Sequence, residues 1–170
     1  DGSRVALANI SGQVQVSDLD RDRPLRLAVH SAQVSCVAFA GPDRLVSASW
    51  DGTARVWELQ GPDSVVPFIR GERMPDIAKA GQGLVVGTGS GEVRLCDLEG
   101  AELRRGAIDA GWCNIGVAPG GAKAVICTAS GFAYTWDLQG TGGPVAIVSD
   151  SSESFWGCDF LADGRILLLC

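Results

Sequence analysis

HSAQVSCVAFAGPDRLVSASWDGTARVWEL, residues 30–59, is the stretch whose reading decides the fold. Three short runs in it, 34–39, 45–49 and 54–57, are built of small, β-branched and aromatic residues. They read as strands rather than helices. The breaks between them are Gly41-Pro42-Asp43 and Asp51-Gly52, both turn chemistry. The second break is the sharper signal. A polar residue followed by glycine, between two β-prone runs, lets the chain reverse where a Cβ would clash.

Outward from this stretch the chain repeats it with errors. A turn glycine and a leucine seven residues later recur as Gly12 with Leu19, Gly52 with Leu59, Gly91 with Leu98 and Gly131 with Leu138. Each leucine follows an acidic residue, and the leucines stand 40, 39 and 40 residues apart. A period near 40 with three or four short strands per unit is the signature of propeller blades. The units run 1–29 (partial), 30–69, 70–108, 109–148 and 149–170 (partial). Strands are expected at 4–9, 14–18 and 25–29 in the first unit, and at 34–39, 44–49, 54–58 and 65–69 in the second. The third has them at 74–79, 84–88, 92–96 and 103–108, the fourth at 113–117, 123–128, 132–136 and 144–148, and the last at 155–160 and 165–170.

LVSASWDGTARVWEL with His30 upstream resembles the WD40 repeat, a β-propeller blade of four antiparallel strands. SGQVQVSDL, SGEVRLCDL and SGFAYTWDL end the other units and resemble it less closely. They carry Ser11, Ser90 and Ser130 in place of Asp51, and His30 is the chain's single histidine. The expected fold is therefore all-β, a propeller of four-stranded antiparallel blades with about four blades' worth of strands, all within one domain over 1–170. The strand pattern is incomplete at both ends, and one strand is left over if four blades are closed into a ring. The remaining blades are expected from residues outside this sequence or from a second chain, and the resemblance implies seven in all.

Composition agrees with an all-β reading. Leu84-Val85-Val86, Val125-Ile126-Cys127 and Ile166-Leu167-Leu168-Leu169 are continuously apolar, as in strands covered on both faces. The net charge is −6, with twelve arginines against two lysines and no basic stripe, so nucleic acid is not an expected partner. No apolar segment approaches the roughly 20 residues that span a bilayer, so neither is a membrane. None of the six cysteines lies in a C-x-x-C pair. They read as buried free thiols on strands in different blades, generally too far apart to bridge, and free thiols favour a reducing compartment, so the expected location is the cytoplasm.

His30, Ser47, Asp51 and Trp57 include a serine, a histidine and an aspartate, which raises a hydrolase reading. No second motif supplies an oxyanion hole or a phosphate-binding glycine loop. Strand pairing across the Asp51-Gly52 turn puts Ser47 roughly opposite Trp57, with His30 in reach of Asp51. The WD40 resemblance implies a structural relay of hydrogen bonds from Trp57 to Ser47, to His30, to Asp51. No catalytic residue, metal ligand or cofactor is assigned.

Candidate binding residues come from propeller geometry, in which one face is lined by turns and by the loops entering each blade. Trp50 occupies the turn before Asp51. Gln33, Trp112, Phe155 and Trp156 stand at blade entries, with Asp109 beside them. Tryptophan buries much area and keeps one donor, and an acidic rim suits a basic or arginine-bearing partner. The expected function is a non-catalytic platform, a scaffold or sensor that binds a protein partner or another domain of the same complex. A narrower form, implied by resemblance, attaches it to a bacterial signalling NTPase, kinase or protease. The alternative is a propeller enzyme of hydrolase or lyase type with its site at the central channel. That needs ligands on several first strands. These read VSCVAF, CNIGVA and WGCDFL, with Asp159 as the exception.

Overall fold

In a computed structural model, residues 3–20, 25–27, 30–60, 65–70, 73, 76–81, 83–109, 111–149 and 152–170 are described. They form seventeen β-strands and divide into two compact units, Asp1–Met74 and Pro75–Cys170. Among them no helix is long and apolar enough to cross a membrane.

The first unit holds two antiparallel sheets. One is β1 (Arg4–Ala8), β2 (Val14–Asp18) and β3 (Leu25–Leu27), in that order. The other is β4 (Val34–Phe39), β5 (Arg44–Ser49), β6 (Thr53–Glu58) and β7 (Val65–Arg70), again in chain order. Their facing sides make one core, in which Val14 and Val16 of β2 pack with Val34, Leu45 and Trp57.

The second unit holds three sheets. β8 (Asp76–Ala80), β9 (Gly83–Gly87), β10 (Glu92–Asp97) and β11 (Glu102–Ala107) form the first, and β12 (Cys113–Val117), β13 (Lys123–Thr128), β14 (Ala133–Asp137) and β15 (Val145–Val148) the second. β16 (Gly157–Phe160) and β17 (Ile166–Leu169) pair as the third. Cores lie between successive sheets. Val85, Val93 and Leu95 meet Ile115, Ile126 and Trp136 across one gap, and Val125, Cys127 and Ala133 meet Phe155 and Cys158 across the next.

The same turn recurs in each repeat. Gly12, Gly52, Gly91 and Gly131 have φ of 84°, 80°, 88° and 87°. Each donates its N–H back three residues, to the carbonyls of Asn9, Ser49, Thr88 and Thr128. A side-chain oxygen at that same position braces the turn. Asn9 Oδ1 accepts from Ser11 N and Gln13 N, Ser49 Oγ from Asp51 N, and Thr88 and Thr128 Oγ1 from the amides of Glu92 and Phe132. Substituting Asp51 by serine in the other units thus leaves the turn intact.

Two expectations need correction. Ile166–Leu169 is not covered on both faces. Ile166 and Leu168 pack inward, while Leu167 and Leu169 are 42% and 53% exposed, because among the described residues only one sheet lies against β17. Nor are all cysteines isolated between blades. All six are free, yet Cys158 on β16 and Cys127 on β13 pack in one core cluster across the gap between their sheets, where the Cys158 thiol donates to Asn114 O at 3.1 Å and Val125 O at 3.5 Å. The neighbouring Cys127 thiol and burial push the Cys158 thiol above its usual value.

Candidate functional site

The Asp51-Gly52 turn organises a buried hydrogen-bond relay. Trp57 Nε1 donates to Ser47 Oγ at 2.8 Å, and His30 Nε2 lies 2.7 Å from the same oxygen. His30 Nδ1 lies 2.9 Å from Asp51 Oδ2. The carboxylate fixes the tautomer. Nδ1–H donates to Asp51, and Nε2 accepts from the Ser47 hydroxyl. Asp51 is satisfied further by Ser31 N at 3.0 Å, Thr53 N at 2.9 Å and Thr53 Oγ1 at 2.6 Å, with Arg55 Nη2 at 3.5 Å. The edge of His30 meets the Trp57 ring at 71° and 6.0 Å.

Register differs from the sequence expectation. Trp57 stands opposite Leu45, and Ser47 opposite Arg55. The turn seats Ala48 against Ala54, so each later pair is fixed by counting outward. The indole reaches Ser47 diagonally along the same face of the sheet, a span open to large aromatics.

Burial lowers the pKa of His30 below the ordinary 6.5, against the pull of Asp51, so the ring is neutral. Burial raises that of Asp51, but the bonds from Thr53, Ser31 and His30 outweigh it and hold the carboxyl at about 2. Both shifts link stability to pH in the same direction. A neutral folded His30 contributes fully above about 6.5, and that contribution is lost as the unfolded chain takes up its proton at lower pH. Asp51 contributes above 3.8 and loses its contribution as pH falls towards about 2. Since His30 is the single histidine, unfolding free energy from urea melts should fall between pH 7 and pH 5, and His30→Gln should remove that slope. A wild-type protein equally stable at both pH values would rule out a neutral buried His30.

The relay is confined to one sheet. The residues matching Ser47 in the next two are Val86 and Ile126, both fully buried. Trp136, which matches Trp57, donates instead to the carbonyl of Gly142 at 2.9 Å, with the Arg104 guanidinium 5.1 Å from its ring centre. Cys96 takes the third place, its thiol pushed up to about 11 by burial.

The candidate binding residues separate. Trp50 is 39% exposed on its turn, and the Arg73 guanidinium lies 4.8 Å from its ring centre. Gln33 is half-buried, and its carbonyl accepts from Ser49 Oγ at 2.8 Å and from Trp50 N at 2.9 Å. It thus brackets the turn that presents Trp50. Trp112 is half-buried and Trp156 is 65% exposed, with ring centres 6.1 Å apart. Asp109 is half-buried and accepts from Ser130 Oγ. Phe155 is not on a binding face. It is 6% exposed and packs with Val125, Cys127, Ala133 and Cys158, because side chains alternate in direction at the entry to β16 and Trp156 takes the outward place.

Sequence reading missed Asp76. It is 5% exposed at the start of β8. Its Oδ2 accepts from Ile115 N at 2.6 Å and Asn114 Nδ2 at 3.1 Å, and its Oδ1 from Ile77 N at 2.8 Å. Asn114 Oδ1 in turn accepts from Cys158 N at 3.0 Å. This polar chain ties three sheets together at their first strands. Asp159, singled out from sequence, is exposed and accepts from Phe160 N. Among the described residues no group of three His, Cys, Asp or Glu is placed to hold a metal ion.

Repeated four-stranded sheets, a shared glycine turn and a Trp–Ser–His–Asp relay define a WD40-type propeller. Residues 23–58 match the family model for the WD domain, G-beta repeat. The whole chain is similar to the solved WD40 beta propeller domain of Doa1, with a TM-score of 0.84 at 18% identity over 99% of this chain and 57% of that one. The chain therefore has the fold of part of a WD40-repeat β-propeller, with one well-formed repeat and others that depart from the pattern. Among curated proteins it is similar to "Protein Rae1" of Drosophila melanogaster, 30% identical over 98 residues, which are 51% of this chain and 28% of that protein. It is also similar to "mRNA export factor GLE2" of Chaetomium thermophilum, 26% identical over 102 residues, 58% of this chain and 29% of the relative. The matches thus span less than a third of either relative.

Proposed function

We propose that this chain is a non-catalytic platform that binds a protein partner, or another domain of its own complex, through aromatic residues carried on rigid turns. The observation that carries the reading is the contrast among its tryptophans. Trp57 and Trp136 are buried, whereas Trp50 and Trp156 are 39% and 65% exposed on turns and entries that backbone hydrogen bonds hold fixed. Large exposed aromatics on preorganised backbone are what an interface anchor requires. The candidate binding residues are Trp50 and Gln33 in the first unit and, separately, Trp112, Asp109 and Trp156 in the second.

The propeller-enzyme alternative gains no support from the first strands. Asp76 is engaged by three donors, and Asp159 is exposed and bonded to its neighbouring amide. An export role is named for the GLE2 relative; for this chain only the platform is carried over. Its net charge of −6 favours a protein over a phosphate backbone as the thing bound. Free thiols favour a cytoplasmic setting. Further blades, from residues beyond this sequence or from a second chain, would cover Leu167 and Leu169. A sensor or scaffold part of a signalling NTPase, kinase or protease is the narrower form of the same reading.

The test is Trp50→Ala. Its unfolding free energy should stay within about 0.5 kcal/mol of wild type, as for exposed turn positions. Affinity for the physiological partner should fall by about 2 kcal/mol, roughly thirtyfold. A variant that unfolds while binding per folded molecule is unchanged would make Trp50 a core residue and remove it from the face.

A further inference from the structure

In the second unit, two turns and two blade entries are stitched into one surface. Ile108 N donates to Gly91 O at 2.8 Å, Gly111 N to Gly89 O at 3.1 Å, Ala129 N to Trp112 O at 3.1 Å and Phe155 N to Thr128 O at 3.4 Å. Two features stand side by side on it because one turn holds both. Ala129 is bonded to the backbone of Trp112, and its neighbour Ser130 donates through Oγ to the carboxylate of Asp109. Asp109 is held again at its amide, which donates to Tyr134 Oη at 3.1 Å. Trp156 leans against Trp112 with the two planes at 47°, leaving most of its own ring open.

The charge of this surface has one sign. Among the described residues of 88–91, 108–112, 128–131 and 152–156 there is no lysine or arginine, while Asp109 and Glu153 are acidic. The turn residues bonded to the entry before Trp112 and to Trp112 itself are small: Gly89 accepts from Gly111, and Ala129 donates to Trp112.

We infer that the Trp112–Trp156 pair with Asp109 is a seat for an arginine side chain of a protein partner. The inference rests on the platform reading and deepens it. A guanidinium lies flat on an indole and offers its forked N–H donors to a carboxylate at the ring's edge, whereas a lysine ammonium is a strongly hydrated point charge without that plane. The chain itself uses this pairing. Arg73 lies over Trp50 at 4.8 Å, Arg104 over Trp136 at 5.1 Å and Arg4 over Phe39 at 5.7 Å. Trp156, more exposed than Trp50, has no such cation among the described residues.

The test titrates the intact protein with two acetylated, amidated peptides, Gly-Gly-Arg-Gly-Gly and Gly-Gly-Lys-Gly-Gly, by calorimetry and tryptophan fluorescence. The arginine peptide should bind about fivefold to thirtyfold more tightly than the lysine peptide, the range a partly desolvated cation–aromatic contact supplies. Trp156→Ala and Asp109→Asn should each reduce arginine-peptide binding at least about fivefold, with an unchanged melting temperature for Trp156→Ala. Trp50→Ala should leave peptide binding unaltered. Equal affinity for the two peptides, or an unaltered arginine affinity in Trp156→Ala, overturns the arginine seat. If the physiological partner still loses affinity in Trp156→Ala under that result, the platform stands and only the arginine chemistry falls. Partner binding indifferent to Trp50, Trp112 and Trp156 alike would remove both.

Discussion

Trp57→Ala is expected to destabilise the fold by about 3–5 kcal/mol, the range for deleting a large buried aromatic. Trp57 is 1% exposed and packs with Val14, Val16, Val34 and Leu45, so its removal opens a cavity between two sheets of the first unit. Its indole N–H is also one end of the relay. Trp57→Phe keeps much of the packing and removes that donor, and should cost clearly less, with about 1 kcal/mol belonging to the lost hydrogen bond. Ser47 remains paired with His30 in either variant, so the histidine's neutral state should survive and the pH slope between 7 and 5 should persist. Urea denaturation of the three proteins at both pH values checks all of this. A Trp57→Ala variant within about 1 kcal/mol of wild type would contradict the packing described here.

Gly12→Ala is the second large effect. At φ +84° a Cβ on residue 12 would lie 2.2 Å from the carbonyl oxygen of His30 and 2.9 Å from that of Ala32. Both are backbone atoms that cannot swing aside, and Gly12 O accepts the His30 amide at 2.9 Å. The left-handed conformation costs an alanine about 1–2 kcal/mol, and the overlap adds about 1–3 kcal/mol by forcing backbone to move. Gly164 has the same φ of +84° and nothing within 4 Å of its would-be Cβ. Gly164→Ala should therefore cost only the conformational part. The pair separates backbone strain from close approach, and equal losses in denaturant midpoint would show that the approach at Gly12 does not matter. Because the clash falls on His30 itself, Gly12→Ala should also displace the ring from Asp51 and flatten the stability profile between pH 7 and 5.

The sequence by itself determined the strands and the repeat. Alternating small and apolar residues between glycine turns are local signals, and β4, β5, β12 and β13 fall at 34–39, 44–49, 113–117 and 123–128 as the pattern places them. The residue types of the relay were legible through the WD40 resemblance, which needs a histidine upstream of an Asp-Gly turn and a tryptophan on the strand after it. Tertiary structure decided whatever depends on parity or on a neighbouring sheet. Phe155 and Trp156 are adjacent aromatics, and only the direction of β16 makes one core and the other surface. Trp57 meets Ser47 along a diagonal because the turn pairs Ala48 with Ala54, a count that residue types do not carry. Asp76 falls in the strand expected at 74–79, but after a proline and among charges nothing local marks it as buried. It is a buried tie because Ile115 and Asn114, some forty residues later in the chain, bring their donors to it. Cys127 and Cys158 pack together for the same reason, as does Arg73 with Trp50. Hydrogen bonds and ring contacts between distant residues are satisfied only once the sheets stack, and a buried donor or acceptor must then find its partner wherever the fold has put it.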